Sequence, residues 1–293
     1  MRFNIAESDG RASTGDDSTE SDPTALCVKI RVILGTKLRA SAREATNGAP
    51  PLARLLIHEC LQMSHMLRLI TLSMVLLIPP TALLGQEQSI NPGINKNYQP
   101  PDLDDSIQRF ESNGRDVFDH RQEIVTALSL KPGMTVADVG AGTGLFTRLF
   151  SPAVGTKGKV YAVDVSKEFV DHIEKLARQQ HMDNIVGLVC KQDSAGLPAE
   201  SVDLVFICDT YHHFEFPQKT MHSIYTALKP KGRLVLIDYR RVPGVSADWV
   251  LEHVRAGQEV FTQEIVDAGF QQIDEKKDLL KESYFVRFEK VSK

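Results

Sequence analysis

Apolar positions along this chain follow three regimes. Up to about residue 62 they hold no sustained period: an acidic, Ser/Thr-rich run from Glu7 to Asp22 gives way to a basic stretch with Lys37, Arg39 and Arg43. Val28 to Leu34, with Lys29 and Arg31 alternating, has the pattern of a short strand, but nothing adjacent offers it a partner. Too little apolar surface is available there to offset the entropy of ordering, so residues 1–62 are expected to be disordered or a mis-called extension of the reading frame. Met66 to Ile78 is then a nearly unbroken apolar run containing Arg68, stopped by Pro79 and Pro80 and followed by small residues at Ala82 and Gly85. That is the layout of a secretory signal peptide, too short to span a bilayer comfortably. It predicts transient membrane targeting through residues 66–85 within a signal-like segment 63–87, and translation starting at Met63 or Met66. The competing reading is a membrane-associated or core-packed helix over residues 67–84. Export or membrane association follows from the first reading and a cytoplasmic location from its failure.

Gln86 to Asp105 is rich in Pro, Asn and Gln, and the pattern makes residues 88–104 a linker with nothing to bury. Beyond it, Ile107, Phe110, Val117, Ile124, Val125 and Leu128 recur at helical spacing and predict one or two amphipathic helices. From Met134 the period changes. Thr135–Val139, Lys159–Val163, Ile185–Cys190, Val202–Cys208 and Arg233–Ile237 read as strands, with helical spacing between them at Phe146–Phe150, Lys167–His181 and Gln218–Leu228. Short apolar strands alternating with helices predict an α/β domain over residues 105–293, built on a mostly parallel sheet covered on both faces.

Composition narrows the function. Among 293 residues, a net charge of −4 and the lack of a basic stripe with interleaved aromatics argue against nucleic acid as partner. Cys27, Cys60, Cys190 and Cys208 form no CxxC pair, so no structural metal is expected, and Cys190 and Cys208 read as buried free thiols.

The chemistry concentrates in Asp138-Val-Gly140-Ala141-Gly142-Thr-Gly144-Leu-Phe146, placed where a strand ends and a helix begins. Glycines there let the backbone turn sharply and approach a ligand. Dinucleotide binders place the third glycine three residues after the second, a position Leu145 occupies, and Asp138 would repel a phosphate. An acidic loop better suits a cofactor with an amino-acid tail. Asp164 ends the next strand, where a carboxylate can accept hydrogen bonds from both ribose hydroxyls, or alternatively cap the following helix. Asp193 follows the third strand, where it can accept from an adenine amine or simply shape an Asx turn.

Taken together, Asp138 to Phe146, Asp164, Asp193 to Pro198, Ser201 to Phe214 and the Leu228 to Asp238 turn and strand resemble the successive motifs of class I S-adenosylmethionine-dependent methyltransferases, particularly those of the menaquinone and ubiquinone type. The resemblance implies a three-layer Rossmann-like fold with a seven-stranded sheet whose last strand is antiparallel, residues 270–274 and 283–290 forming the closing hairpin with a helix over 257–268. It implies S-adenosylmethionine as cofactor: Asp138, Gly140, Ala141, Gly142 and Gly144 at the methionine part, Asp164 and Val165 at the ribose, Asp193 and Ser194 at the adenine, Phe146 and Cys208 lining the pocket. It implies a small-molecule methyl acceptor, with the oligomeric state left open.

Methyl transfer is an in-line displacement at a sulfonium carbon, so alignment carries most of the work and a base is needed only where the acceptor must lose a proton. Tyr211, His212 and His213 follow the fourth strand, at the sheet edge where an acceptor would approach, and are the candidate catalytic residues. A metal at the two histidines would require Asp209 or Glu215 as further ligands, and such near neighbours rarely converge on one ion, so none is expected. Trp249, His253 and Arg255 lie where the family places acceptor-binding elements, though a helix with Trp249 on its core face fits equally. Two rivals remain: an S-adenosylmethionine- or S-adenosylhomocysteine-binding protein without turnover, and a nicotinamide-dependent oxidoreductase, disfavoured by Leu145.

Overall fold

A computed structural model describes residues 88–291. The expectations for residues 1–62 and for the signal-like segment 63–87 lie outside the described residues. Among the described residues no helix is long and apolar enough to cross a membrane.

The sheet has seven strands: β1 (Thr135–Val139), β2 (Lys159–Asp164), β3 (Ile185–Val189), β4 (Val202–Cys208), β5 (Leu228–Tyr239), β6 (Phe270–Glu275) and β7 (Ser283–Lys290). Their order is β3-β2-β1-β4-β5-β7-β6. Pairing is parallel from β3 through β5, and β7 runs antiparallel to both neighbours. This is the predicted architecture, down to the single reversed strand inserted between β5 and β6. β5 starts earlier than its apolar run, because Lys229 to Gly232 bulge out between the pairs Val202↔Leu228 and Leu204↔Arg233, with Lys231 in the left-handed region at φ 61°.

Strand alternation sends side chains to two cores. Val136, Leu204, Phe206, Val235, Ile237 and Phe285 face one way, onto α3 (Arg121–Leu128) and α4 (Leu145–Val154), which contribute Ile124, Leu128, Phe146 and Phe150. Ala137, Val139, Val205, Ile207, Leu234 and Leu236 face the other way, onto α6 (Pro217–Ala227) and α8 (Gln258–Asp267) through Met221, Ile224, Phe261 and Ile265. Between α4 and α6, α5 (Lys167–Gln179) covers Ala162 with Ile173. Its start is fixed by the Ser166 hydroxyl, which accepts from the Phe169 amide at 3.3 Å. The two central strands β1 and β4 are thus buried on both faces, which explains the unbroken apolar run Leu204–Cys208 in β4 and the buried Val136 to Val139 in β1.

Ahead of the sheet the predicted amphipathic region resolves into α1 (Leu103–Phe110), α2 (Asp116–Asp119) and α3. One feature ties it to the far end of the chain: Asp116 Oδ2 accepts from the amides of Lys281 and Glu282, each at 2.8 Å. The remaining helix, α7 (Asp248–His253), lies between β5 and α8.

Between β1 and β4 the winding direction reverses, since β2 and β3 extend to one side and β4 and β5 to the other. The carboxyl ends of strands flanking such a reversal part to leave a crevice. The β3–β4 connection carries no helix, so residues 190–201 are free to form a wall of that crevice.

Candidate functional site

Over the carboxyl ends of β1, β2 and β4 lies a cavity of about 1060 Å³. That is at the upper end of the roughly 300–1,000 Å³ usual for ligand pockets and leaves room for two molecules side by side.

At the β1 end, the loop after Val139 is positioned by Gly140 and Ala141, whose amides donate to the Val163 carbonyl at 2.8 and 3.0 Å. Gly140, Gly142 and Gly144 all have positive φ, but for different neighbours. A Cβ on Gly140 would stand 2.1 Å from the Thr210 side chain and one on Gly144 would stand 2.7 Å from Ile173, whereas one on Gly142 would meet only Phe110 at 3.6 Å. Gly140 and Gly144 therefore serve close packing. Gly140, Ala141 and Gly142 line the cavity, and Gly144 caps α4 outside its lining.

Asp138 and Asp164 are both buried and both face the cavity. The Thr147 hydroxyl donates to Asp138 Oδ2 at 2.6 Å. Burial outweighs that bond and pushes the Asp138 carboxyl up to about 7. Asp164 Oδ2 accepts from the Gly142 amide and Oδ1 from the Ser166 amide, both at 2.9 Å. The N-cap of α5 is Ser166, so Asp164 does not cap the helix as its alternative reading had it; its carboxylate shapes the loop, and each oxygen keeps a lone pair for a ligand. Burial raises it to about 6. Opposite them, Asp209 Oδ2 accepts from Arg115 at 2.6 Å, while its buried Oδ1 has no partner within the protein. Such an orphaned acceptor in a cavity wall suits a cationic ligand group. Two free acidic edges and an open glycine loop thus fit a ligand with an ammonium and a ribose.

Val165, Ser194, Phe146 and Cys208 also line the cavity, together with Cys190, whose thiol burial pushes up to about 12. Asp193 does not. It turns outward to 4.0 Å from Lys219, and the wall beside it is made by Gln192, Ser194 and Ala195. The adenine role expected of Asp193 has no support in this placement, because the turn after β3 points its side chain to solvent.

Residues 88–104 depart furthest from expectation. Asn95 is buried, and its amide donates to Gln192 Oε1 at 2.8 Å and to the His213 carbonyl at 3.1 Å. Tyr98 sets its ring edge on His213 and joins Phe110 and Phe169 in a triangle of ring centres 6.4 to 6.5 Å apart. The segment forms a wall of the cavity. Its composition lacks periodicity because it packs as an irregular strap, held further by the Ile90 amide on the Glu215 carbonyl at 3.0 Å.

Beyond β4 the catalytic candidates separate. Tyr211 is fully buried against Phe214 and Phe261 and takes no part in the cavity lining, so it is a core residue here. The 3₁₀ turn Tyr211–His213 sends its ring to the α8 side and both histidines to the cavity. His212 Nδ1 lies 2.8 Å from Asp238 Oδ1, and its amide donates to Asp238 Oδ2 at 3.2 Å. Burial works against a charge on His212, but Asp238 wins and holds it above the ordinary histidine range. His213, partly buried and flanked by two other imidazoles, is pushed down to about 2 by desolvation and by those neighbours. The third imidazole is His253 of α7, whose Nε2 is 3.2 Å from His213 Nε2. Trp249 lines the cavity half-exposed, edge-on to Tyr239, rather than sitting in a core, and Arg255 instead pairs with Glu264 at 2.6 Å. Asp238 carried an unread signal: an acidic residue ending a buried apolar strand.

Comparison with known proteins agrees with this geometry. Residues 130–284 match the "Methyltransferase domain" family. A ubiquinone/menaquinone biosynthesis C-methyltransferase of Hydrogenovibrio crunogenus is 25% identical over 123 residues, covering 42% of this chain and 48% of its own length. The chain thus spans about half of that relative. Its Shewanella sp. (strain ANA-3) counterpart is 27% identical over 177 residues, 49% of this chain and 69% of its own. Among solved structures, a SAM-dependent methyltransferase from Aquifex aeolicus superposes with a TM-score of 0.58 at 28% identity, covering 65% of this chain and 99% of that one. With the reversed seventh strand, the glycine loop and the paired acidic strand ends all in place, the chain belongs to the methyltransferase-domain family of class I S-adenosylmethionine-dependent enzymes.

Proposed function

We propose that this protein transfers the methyl group of S-adenosylmethionine to a small-molecule acceptor that enters from the histidine end of the cavity. The observation that carries this is the convergence of Asp138, Asp164 and the Gly140–Gly142 backbone on one cavity that continues past Cys208 to His212, His213 and His253. Bound there, S-adenosylmethionine supplies an activated methyl on a sulfonium. Asp138 and the free Oδ1 of Asp209 would take the ammonium, Asp164 the ribose hydroxyls, and the wall of Gln192, Ser194 and Phe169 the adenine. The chain's own contribution is alignment, worth on the order of 7–11 kcal/mol in favourable model systems. His212, kept in one orientation by Asp238, and His213 face the acceptor space. A small molecule is favoured by the size of the cavity and by the named activity of the quinone-pathway relatives, whose own substrates do not transfer with the scaffold.

The test is calorimetric titration of S-adenosylmethionine and, separately, NADH into the full chain, followed by labelling of an acceptor panel with radiolabelled donor. Micromolar binding of S-adenosylmethionine alone is expected. Asp164→Ala should weaken it about a hundredfold, two charge-assisted hydrogen bonds at about 1.5 kcal/mol each. Binding without any labelled acceptor would favour a sensor without turnover, and binding of NADH alone would overturn the reading.

A further inference from the structure

His212 and His213 come from the turn after β4 and His253 from the end of α7, 40 residues later in sequence than His213. One ring nitrogen from each lies within 4.8 Å of the other two. Ring centres are 4.4, 5.2 and 4.9 Å apart for the three pairs, and the closest nitrogens are 3.2 Å apart. Three imidazoles bound to one tetrahedral ion at about 2.0–2.1 Å would hold their nitrogens roughly 3.3 Å and their ring centres roughly 5 Å apart. The ring centres already match that arrangement, and the nitrogens, 3.2 Å apart in one pair and within 4.8 Å overall, reach it by closing up to roughly 1.5 Å through side-chain rotation.

A second, independent feature points the same way. Asp238 is completely buried and engages His212 through Nδ1, leaving Nε2 as the nitrogen free to act as a ligand. A carboxylate on the far nitrogen of an imidazole is how metal-bound histidines are oriented and kept in one tautomer. Asp238 is itself fixed by the amides of His212 and Tyr239, at 3.2 and 2.8 Å. The Asn95 amide holds the His213 carbonyl, and the edge of Tyr98 backs its ring. Such support for two of the three convergent side chains exceeds what a solvated loop requires.

We propose that His212, His213 and His253 form a binding site for one divalent transition-metal ion of the zinc class, with its fourth position open to the cavity. Three protein ligands with an open position describe a site that presents an ion to a ligand, in contrast to the closed four-ligand sites that only hold a fold together. Water or an oxygen of the acceptor completes the coordination. The site stands on the imidazole geometry alone; only the suggestion that it receives an acceptor oxygen rests on the methyl-transfer reading. The sequence argument against a metal considered ligands adjacent in the chain, and His253 reaches the site from another element.

The experiment is titration of zinc chloride, and of cobalt chloride as a spectroscopic reporter, into untagged, chelator-treated full-length protein, with bound metal counted by elemental analysis after gel filtration. Expected are one ion per chain, the visible bands of four-coordinate cobalt, loss of at least a hundredfold in affinity for His253→Ala, and a 10- to 100-fold loss for Asp238→Asn. His253 is only partly buried at the end of a short helix, so its variant should keep the wild-type melting temperature and the comparison remains interpretable. No stoichiometric binding, or binding that survives His253→Ala, would overturn the proposal and leave His213 and His253 as an ordinary hydrogen-bonded imidazole pair. S-adenosylmethionine titrations on the same samples separate this outcome from failure of the methyltransferase reading.

Discussion

The two ends of the cavity are built by opposite strategies. At the β1 end Asp138, Asp164 and the glycine loop come from two strand termini and one nine-residue stretch, Asp138 to Phe146, so local sequence places this core of the site, with Asp209, Gln192 and Ser194 added from later loops. At the histidine end the wall is assembled from the strap before α1, the turn after β4, the end of β5 and one face of α7. A scaffold that keeps one end local and collects the other from remote segments can hold its cofactor while the acceptor end diverges. The same contrast separates carboxylates that shape a loop, such as Asp164, from one that orients a side chain, Asp238.

The sharpest way to break the comparison is within the glycine loop. Gly140→Ala forces a Cβ into Thr210 at a left-handed φ of 75° and should cost about 3 kcal/mol of stability, combining overpacking with backbone strain. Gly142→Ala meets ordinary contact distance and should cost about 1 kcal/mol, strain alone. Urea denaturation of both variants checks this; equal losses would mean that Thr210 yields and the loop is not locally fixed.

A smaller effect concerns Asp138. Its folded-state carboxyl is raised to about 7 from 3.8, so the folded protein binds the extra proton between those values. The stability that comes from staying protonated is therefore present below about pH 4 and lost as the pH rises through 7. The ammonium of the cofactor prefers the ionised form, so affinity for S-adenosylmethionine should instead rise, about tenfold from pH 5.5 to 7.5. Asp138→Asn should flatten both curves, making the variant more stable than wild type at pH 8 and weaker in binding. A pH-independent wild-type affinity would place the ammonium elsewhere than on Asp138.

Next in size is Asp116→Ala, which frees the amides of Lys281 and Glu282 and should destabilise by about 1–2 kcal/mol, read as a lowered melting temperature. The smallest effect is expected at Trp249, half-exposed against Tyr239. Trp249→Ala should change stability by about 0.5–1 kcal/mol and leave S-adenosylmethionine affinity within about twofold, because it belongs to the other end of the cavity. A larger loss of cofactor affinity would show that the two ends are coupled.

From its sequence alone the chain determined its strands, since short runs rich in Val, Ile and Leu alternate with segments of helical spacing, and that alternation marks a buried parallel sheet. It determined the ligand class as well, because the glycine loop and the strand-end carboxylates lie within short stretches of chain, whereas the closing hairpin followed only from the family resemblance. Tertiary structure alone decided that Tyr211 packs in the core while its two neighbours face the cavity, since the direction of a one-turn 3₁₀ helix depends on what Phe261 and Asp238 offer on either side. It also decided that residues 88–104 form a wall, that Asp193 faces Lys219, and that His253 meets His213. Those contacts join segments tens to more than a hundred residues apart, and no periodicity along one chain encodes which irregular segments will meet across a sheet edge.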